Sequence, residues 1–240
     1  MKYNFSRMEQ ALSEWELELN DEQKNMFEIY YDMLVEKNKV MNLTAITDFD
    51  EVVEKHFLDS LSLVQIENLA EKKKIIDIGT GAGFPGIPLK IMFPDLEVTL
   101  ADSLKKRILF LQDVIRELGL KDIDAVHGRA EDLSRDPEYR ETYDLCVSRA
   151  VANLSVLSEY CLPFVSLGGK FIPYKSSDID SEVSDAKKAV FVLGGEIDEI
   201  LKFDLIDGSI HRSLIVINKV KKTPKAYPRK AGMPSKNPLR

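Results

Sequence analysis

Ile75-Ile76-Asp77-Ile78-Gly79-Thr80-Gly81-Ala82-Gly83-Phe84-Pro85-Gly86 decides the fold. Residues 73–78 are short and almost wholly apolar, as in a strand covered on both faces. Three glycines follow at alternate positions, and a helix is predicted from about Pro85, because proline is tolerated in a first helical turn. A strand, a glycine turn and a helix in this order let backbone approach a nucleotide with no Cβ in the way. The next such unit ends at Asp102, about 20 residues on, where a carboxylate can accept from both hydroxyls of a ribose.

Outward from this turn the alternation continues. Strands are predicted at 96–101, 123–127 and 143–148, helices at 104–118 and 153–164, and Gly168-Gly169 leads into a strand at 170–174. Such alternation describes βαβ units and a parallel sheet with helices on both faces. After a helix ending near Leu193 and the pair Gly194-Gly195, runs at 196–203 and 212–220 flank Asp207-Gly208-Ser209, a turn by composition. They are expected to pair antiparallel at one edge of the sheet. Residues 1–70 read as helix. Met26, Ile29, Tyr30, Met33, Leu34, Val40 and Met41 recur at helical spacing, Asn42-Leu43-Thr44 interrupts them, and Asp48 with Glu51 fits a capping box. The helix it opens carries Val52, Val53, Phe57, Leu58, Leu61 and Leu63. The expected division is a helical segment 1–70, an α/β domain 71–220 and a tail 221–240.

Two cofactor chemistries use such a glycine turn. Gly81-x-Gly83-x-x-Gly86 satisfies the dinucleotide pattern, but it starts two residues beyond the end of the strand. Counted from Gly79 the loop is G-x-G-x-G, with Phe84 where the third dinucleotide glycine belongs. Preceded by Asp77, that loop resembles motif I of class I methyltransferases, which bind S-adenosylmethionine. This cofactor has no pyrophosphate and ends in a zwitterion, whose amino group Asp77 is expected to assist directly or through water. The strand at 123–127 leads to Gly128-Arg129-Ala130-Glu131, where the Ala130 backbone and the Glu131 carboxylate are placed to edge an adenine. Glu131 reads equally as an acid in the first turn of the next helix. Arg149 closes an otherwise apolar strand, where the acceptor substrate is expected.

The formal net charge is −7, but it is unevenly spread. Eight of the 33 basic residues lie between Lys219 and Arg240, a stretch without Asp or Glu, which leaves 25 basic against 40 acidic groups in the first 218 residues. A basic tail on an acidic body suits nucleic acid better than the total suggests. No apolar run is long enough for a membrane span, and Met1 to Asn20 lacks the apolar core of a signal peptide. Cys146 and Cys161 lie far from any Cys/His cluster, so no metal site and a reduced, cytoplasmic setting are expected.

Further pieces make the resemblance specific: Tyr30-Tyr31-Asp32-Met33-Leu34, Asn42-Leu43-Thr44, His56-Phe57-Leu58-Asp59-Ser60, Asp102-Ser103-Leu104-Lys105-Lys106-Arg107, Arg149-Ala150-Val151-Ala152 and Thr223-Pro224-Lys225-Ala226-Tyr227-Pro228-Arg229-Lys230. With the glycine loop they span nearly the whole chain, which resembles the glucose-inhibited division protein B family, the guanine-N7 methyltransferases of bacterial 16S ribosomal RNA. The resemblance implies a class I, Rossmann-like fold, S-adenosylmethionine as cofactor, and methylation of one guanine N7 near the decoding region, within the 30S subunit or a precursor. It implies cofactor contacts at Gly79, Phe84, Asp102, Ala130, Glu131 and Arg149, beside Asp77 and Gly81 of the loop.

Guanine N7 carries a free lone pair and loses no proton on methylation, so no general base is expected. Arg149 and Lys175 are the expected substrate anchors. His56 and Asp59, three apart on a helix, read either as a buried polar pair tying that helix to the sheet or as part of the active-site mouth. Lys221, Lys222, Lys225, Tyr227, Arg229 and Lys230 are the expected RNA contacts, on a tail that prolines keep extended. Two other readings remain at this point. One is an NAD-dependent oxidoreductase, which Tyr174-Lys175 fits poorly because the pair is adjacent rather than helically spaced. The other is a non-catalytic RNA-binding assembly factor that keeps a cofactor pocket.

Overall fold

A computed structural model describes residues 2–239 except 72, 150, 151, 177, 178, 206, 207 and 209. The predicted apolar runs become β1 (Lys74–Ile78), β2 (Glu97–Asp102), β3 (Ile123–His127), β4 (Tyr143–Arg149) and β5 (Val165–Ser176), all parallel. The last two strands, β6 (Gly195–Leu205) and β7 (Ile210–Lys219), pair antiparallel with each other, and β7 is antiparallel to β5. The order across the sheet is β3-β2-β1-β4-β5-β7-β6. The chain runs outward from β1 to β3 and then returns to β4, so the switch point lies between β1 and β4. A crevice forms there beyond the carboxyl ends of the strands. The hairpin is at the edge as expected, with the antiparallel β7 seated inside β6. A dinucleotide fold would carry a sixth parallel strand there.

Helices cover both faces. On one side lie α1 (Ser6–Glu14), α2 (Asp21–Met41), α5 (Gly86–Met92) and α6 (Lys105–Glu117), whose apolar faces share one cluster with Ile75, Leu100, Leu145 and Ile172 of the sheet. On the other, α8 (Leu154–Cys161) and α9 (Asp180–Val192) pack on Ile76, Ile78, Cys146 and Phe171. In α2 the deeply buried stripe is Phe27, Tyr30, Tyr31 and Leu34, with Met26, Ile29 and Met33 on its flanks. Val40 is 79% exposed, because α2 has passed the edge of the sheet by its last turn. Asn20 and Gln23 form a reciprocal capping box at the start of α2, and Asn42 ends it with φ +50°.

Two expectations change in detail. The helix after Asp48 is composite: α3 (Phe49–Val52), a π-helical segment Val53–Leu58, α4 (Asp59–Leu61) and a 3₁₀ turn Ser62–Gln65. The Asp48 side chain accepts from the Glu51 amide, as capping predicts. The pair Gly168-Gly169 does not precede β5 but sits within it. Tyr143 pairs with Val165 and Leu145 with Lys170, so the extra residues bulge out of the strand. A Cβ on Gly169 would stand 2.6 Å from the Asp144 carbonyl oxygen, which is why glycine occupies the bulge. Of the predicted turn, Asp207 and Ser209 lie outside the described residues. The short α7 (Ala130–Leu133) and α10 (Met233–Lys236) complete the chain.

Gly86 fixes how closely α5 sits on the sheet, since a Cβ there would lie 2.2 Å from Leu100 Cδ2 and 3.1 Å from Asp77 Oδ2. Gly86→Ala is expected to destabilise the protein by about 1–3 kcal/mol through overpacking, measurable as a lowered denaturant midpoint with an unchanged slope.

Candidate active site

The glycine loop is held from both sides. From below, Asp77 Oδ2 accepts from the Thr80 hydroxyl at 2.7 Å and the Gly86 amide at 3.0 Å. Gly79, Gly81 and Gly83 all have positive φ, which an L side chain disfavours. From above, the Tyr30 hydroxyl donates to the Ala82 carbonyl at 2.7 Å, and the Phe84 ring packs against Tyr30, Phe57 and His56. Asp77 is wholly buried, and burial raises its carboxyl to about pH 6 against the opposing hydrogen bonds from Thr80 and Gly86. Its carboxylate lies beneath the loop and staples it to the sheet through Oδ2, while Oδ1, buried and without a hydrogen-bond partner, is the oxygen left for the expected assistance to the cofactor's amino group, directly or through water.

Beside the loop a cleft of about 150 Å³ opens at the ends of β1, β2 and β3, lined by Gly79, Asp102, Ser103, Ala130, Glu131 and Tyr160 among others. Here the structure brings together four of the expected cofactor residues. Asp102 Oδ1 accepts from the Leu104 amide at 2.8 Å, and Oδ2 from the Gly81 amide at 3.0 Å and Arg107 Nη1 at 3.1 Å. A carboxylate offers about four acceptor positions, so ribose hydroxyls and Arg107 compete for the last of them. Glu131 is buried, and its Oε1 accepts from the Gly232 amide at 2.8 Å, a partner 101 residues away. The equal readings of Glu131 meet here, since it begins α7 and also lines the cleft. Tyr160 was not found by sequence reasoning, because nothing local marks which face of α8 meets α7. A larger hollow of about 310 Å³, between α1 and the β6–β7 turn, has neither the glycines nor the paired acids.

These residues fit S-adenosylmethionine. The glycines leave the cradle free of Cβ atoms, Asp102 supplies a ribose acceptor, and the Ala130–Glu131 edge presents the backbone and carboxylate that an adenine amine requires. The dinucleotide alternative loses its support, since Phe84 fills the place of the third glycine and the sheet ends in an antiparallel hairpin.

Arg149 is held by partners within the protein. Its guanidinium does not stand free at the end of β4. Nη1 donates to Asp59 Oδ2 at 2.8 Å and the Lys55 carbonyl at 3.2 Å, and the group lies 4.9 Å from the centre of the Phe84 ring. Arg212 Nε reaches the other oxygen of Asp59 at 2.9 Å. Asp59, only 3% exposed at its side chain, is thus shared by two arginines. His56 lies between the helix and the glycine loop. It ties the helix to the loop by stacking on Phe84, at 4.6 Å between centroids, and that places it at the site. Burial, then the charge of Arg149, lowers its pKa to about 3. Its Nε2 is hydrogen-bonded to the Thr44 hydroxyl (2.8 Å), and its Nδ1 lies 3.0 Å from the Lys55 carbonyl and 3.3 Å from Arg149 Nη2. Ala150 and Val151 of the Arg-Ala-Val-Ala element lie outside the described residues.

Lys175 likewise has partners already, the Ala152 carbonyl and Glu182, both at 2.6 Å. The tail is not extended and free. Arg140 donates to the carbonyls of Thr223 (2.9 Å) and Tyr227 (3.1 Å), and Tyr227 packs against the apolar cluster under α8. Arg229 is committed to the buried Glu159, with Nη2 to Oε2 at 2.6 Å and Nε to Oε1 at 2.9 Å. Of the expected RNA contacts Arg229 and Tyr227 are therefore anchors, while Lys221, Lys222, Lys225 and Lys230 are exposed. Lys219, which begins the basic stretch, is buried against the Leu162 carbonyl and Thr223, and burial lowers its pKa to about 8. Among the described residues no group of three or more His, Cys, Asp or Glu is placed to hold a metal, and no helix is long and apolar enough to cross a membrane.

Asp59→Ala leaves two partly buried guanidiniums without their carboxylate and is expected to cost about 3–5 kcal/mol in a denaturant titration. The unfolded His56 takes up a proton near pH 6.5 and the folded one only near pH 3, so the unfolded state binds more protons in between. Stability falls as pH is lowered through that window, and His56→Phe is expected to flatten the decline when unfolding is followed from pH 7 to pH 4.

A solved S-adenosylmethionine-dependent methyltransferase from Aquifex aeolicus superposes with a TM-score of 0.52 at 16% identity, covering 71% of this chain and 93% of that one, which shows the shared fold. In sequence, ribosomal RNA small subunit methyltransferase G from Lachnoclostridium phytofermentans is 54% identical over 230 residues, 96% of this chain and 95% of the relative. The protein of the same name from Clostridium novyi is 50% identical over 224 residues, 93% of this chain and 92% of the relative. The family described as rRNA small subunit methyltransferase G matches residues 23–211, and the chain belongs to that family.

Proposed function

We infer that the protein transfers a methyl group from S-adenosylmethionine to small-subunit ribosomal RNA, at N7 of one guanine in 16S rRNA, within the 30S subunit or a precursor. The observation that carries this reading is the cleft in which Gly79, Asp102, Ala130 and Glu131 converge beyond the carboxyl ends of β1, β2 and β3 of a family member's sheet. S-adenosylmethionine supplies the reactive methyl on a sulfonium. The protein supplies alignment. The glycine loop carries the cofactor's amino acid end, Asp102 accepts from the ribose, and Ala130 with Glu131 edges the adenine.

The chemistry of N7 matches the protonation states at the site. Asp77 is buried under the loop with Oδ2 turned to the Thr80 hydroxyl and the Gly86 amide, and Asp102 has both oxygens turned to the Leu104 and Gly81 amides and Arg107. Nε2 of His56 is engaged by the Thr44 hydroxyl and Nδ1 by the Lys55 carbonyl and Arg149. None of these groups is poised to remove a proton, and methylation of N7 removes none. What remains is to hold nucleophile, methyl carbon and sulfur in line, a contribution worth several kcal/mol by orientation alone. Arg149 positions rather than reacts: by fixing Phe84 and the 55–59 turn it sets the wall against which the guanine stands. The exposed lysines of the tail meet phosphate, and this term carries affinity but no sequence choice.

The direct test is transfer of labelled methyl from S-adenosylmethionine to 30S subunits that lack the native modification, with deproteinised 16S rRNA in parallel. Label at a guanine N7 supports the reading, whereas cofactor binding without transfer to either RNA would favour a non-catalytic RNA-binding factor. Asp102→Asn is expected to weaken cofactor binding by about 10- to 100-fold, the value of a charge-assisted hydrogen bond. Replacing Lys222, Lys225 and Lys230 with Gln should lower the slope of log K against log salt by roughly 2–3, at 0.7–0.9 per phosphate contact, with the methylated position unchanged.

A further inference from the structure

The last contacts of the C-terminal strap fall on the adenosine cleft. Thr223 is buried, its hydroxyl donating to the Leu193 carbonyl at 2.7 Å and its amide to Glu141 at 2.8 Å. Arg140 then holds the carbonyls of Thr223 and Tyr227, and Arg229 meets Glu159 of α8 through both its guanidinium and its amide, the latter at 2.8 Å. Beyond this anchor the strap reaches two residues of the cleft. The Gly232 amide donates to Glu131 Oε1, and Ser235 shares a 2.7 Å hydrogen bond with the Tyr160 hydroxyl. Glu131 and Tyr160 both line the cleft, from β3's end and from α8.

We propose that the C-terminal strap positions the wall of the cofactor site, with Gly232 as the residue that aims Glu131 and Ser235 that steadies Tyr160. The proposal rests on the reading of Ala130 and Glu131 as the adenine edge. Glu131 is buried, and Gly232 is its sole hydrogen-bond partner among the described residues. Without that amide a buried carboxylate loses its fixed direction, and water or another donor must replace the bond. Gly232 delivers the amide with φ +80°, a conformation that glycine adopts freely and most L residues do not. No other atom lies within 4 Å of where its Cβ would be, so the demand at this position is on backbone conformation alone. Gly232 and Ser235 are positioning residues, acting on cofactor through Glu131 and Tyr160.

The test compares Gly232→Ala with Gly232→Asn, since asparagine tolerates the left-handed conformation far better than alanine. S-adenosylmethionine binding is measured by calorimetry without RNA, beside Asp102→Asn as the marker for the site itself. Gly232→Ala is expected to weaken the cofactor about five- to tenfold and to raise its KM, with kcat unchanged at saturating cofactor. Gly232→Asn should return to within about twofold of the native protein, and the thermal midpoint of both variants should stay close to native. If Asp102→Asn weakens binding while Gly232→Ala leaves it unchanged, the strap has no part in the cofactor site and the proposal is overturned, although the site stands. If Gly232→Asn is as weak as Gly232→Ala, backbone conformation is not what matters and the proposal is also overturned. If Asp102→Asn itself leaves binding unchanged, the assignment of the site fails, and the strap's role fails with it.

Discussion

The Asp59 carboxylate joins the helical layer to the sheet through two arginines, one of them packed on Phe84 of the glycine loop. Arg149 reaches it from the end of β4 and Arg212 from β7, and between them Tyr174 of β5 donates to the neighbouring Ser60 carbonyl at 2.7 Å. Three adjacent strands thus hold the same two residues of α4, at the end of the π-helical segment. Asp59 is almost wholly buried, and a charge in that position persists only when it is paired and hydrogen-bonded. Once it is paired, the helix cannot slide on the sheet without breaking both ion pairs. The position of His56, one turn earlier, follows from that, and so does the face that Phe84 meets.

This arrangement makes the helical layer part of the site rather than a neighbour of it. Tyr30 holds the carbonyl of Ala82, and His56 and Arg149 close over Phe84. The glycine loop is therefore clamped between Asp77 beneath and α2 above. Three consecutive alternate glycines would otherwise be among the most mobile pieces of the chain, because glycine gives up more backbone freedom on ordering than any other residue. For a reaction that needs alignment and no proton transfer, a rigid loop is worth more than a reactive side chain.

The strands and the glycine turn were legible in the sequence because their signals are local. A run of Ile and Val ending in glycine looks the same wherever it occurs, and β3 was read to its ends. The meaning of single polar residues was less legible. Arg149 looked free because the strand before it is apolar, yet its partner lies 90 residues earlier. Arg229 looked like an RNA contact because it sits among lysines and prolines, yet Glu159, 70 residues earlier and fully buried, claims it. Gly168-Gly169 reads as the lead into a strand, and only the register of β4 against β5 shows a bulge within it. The π-helical segment has no composition of its own that marks it in the sequence.

The charge asymmetry takes a different meaning from the structure. The basic stretch divides into cations that hold the strap down and cations that face solvent. Lys219 and Arg229 belong to the first group, Lys221, Lys222, Lys225, Lys230 and Lys236 to the second. Anchoring cations need buried carboxylates or carbonyls, and Glu159 and the Leu162 carbonyl provide them. Solvent-facing cations need only not be drawn back onto the acidic body. A strap pinned at Thr223, Pro228 and Arg229 satisfies both, because pinned backbone keeps the lysines between the anchors from collapsing onto the acidic surface. Its prolines contribute by burial as well as by stiffness, since Pro228 and Pro234 are covered. A free tail of the same composition would give the same net charge and much the same salt dependence, but it would present no fixed pattern of charge to a folded RNA.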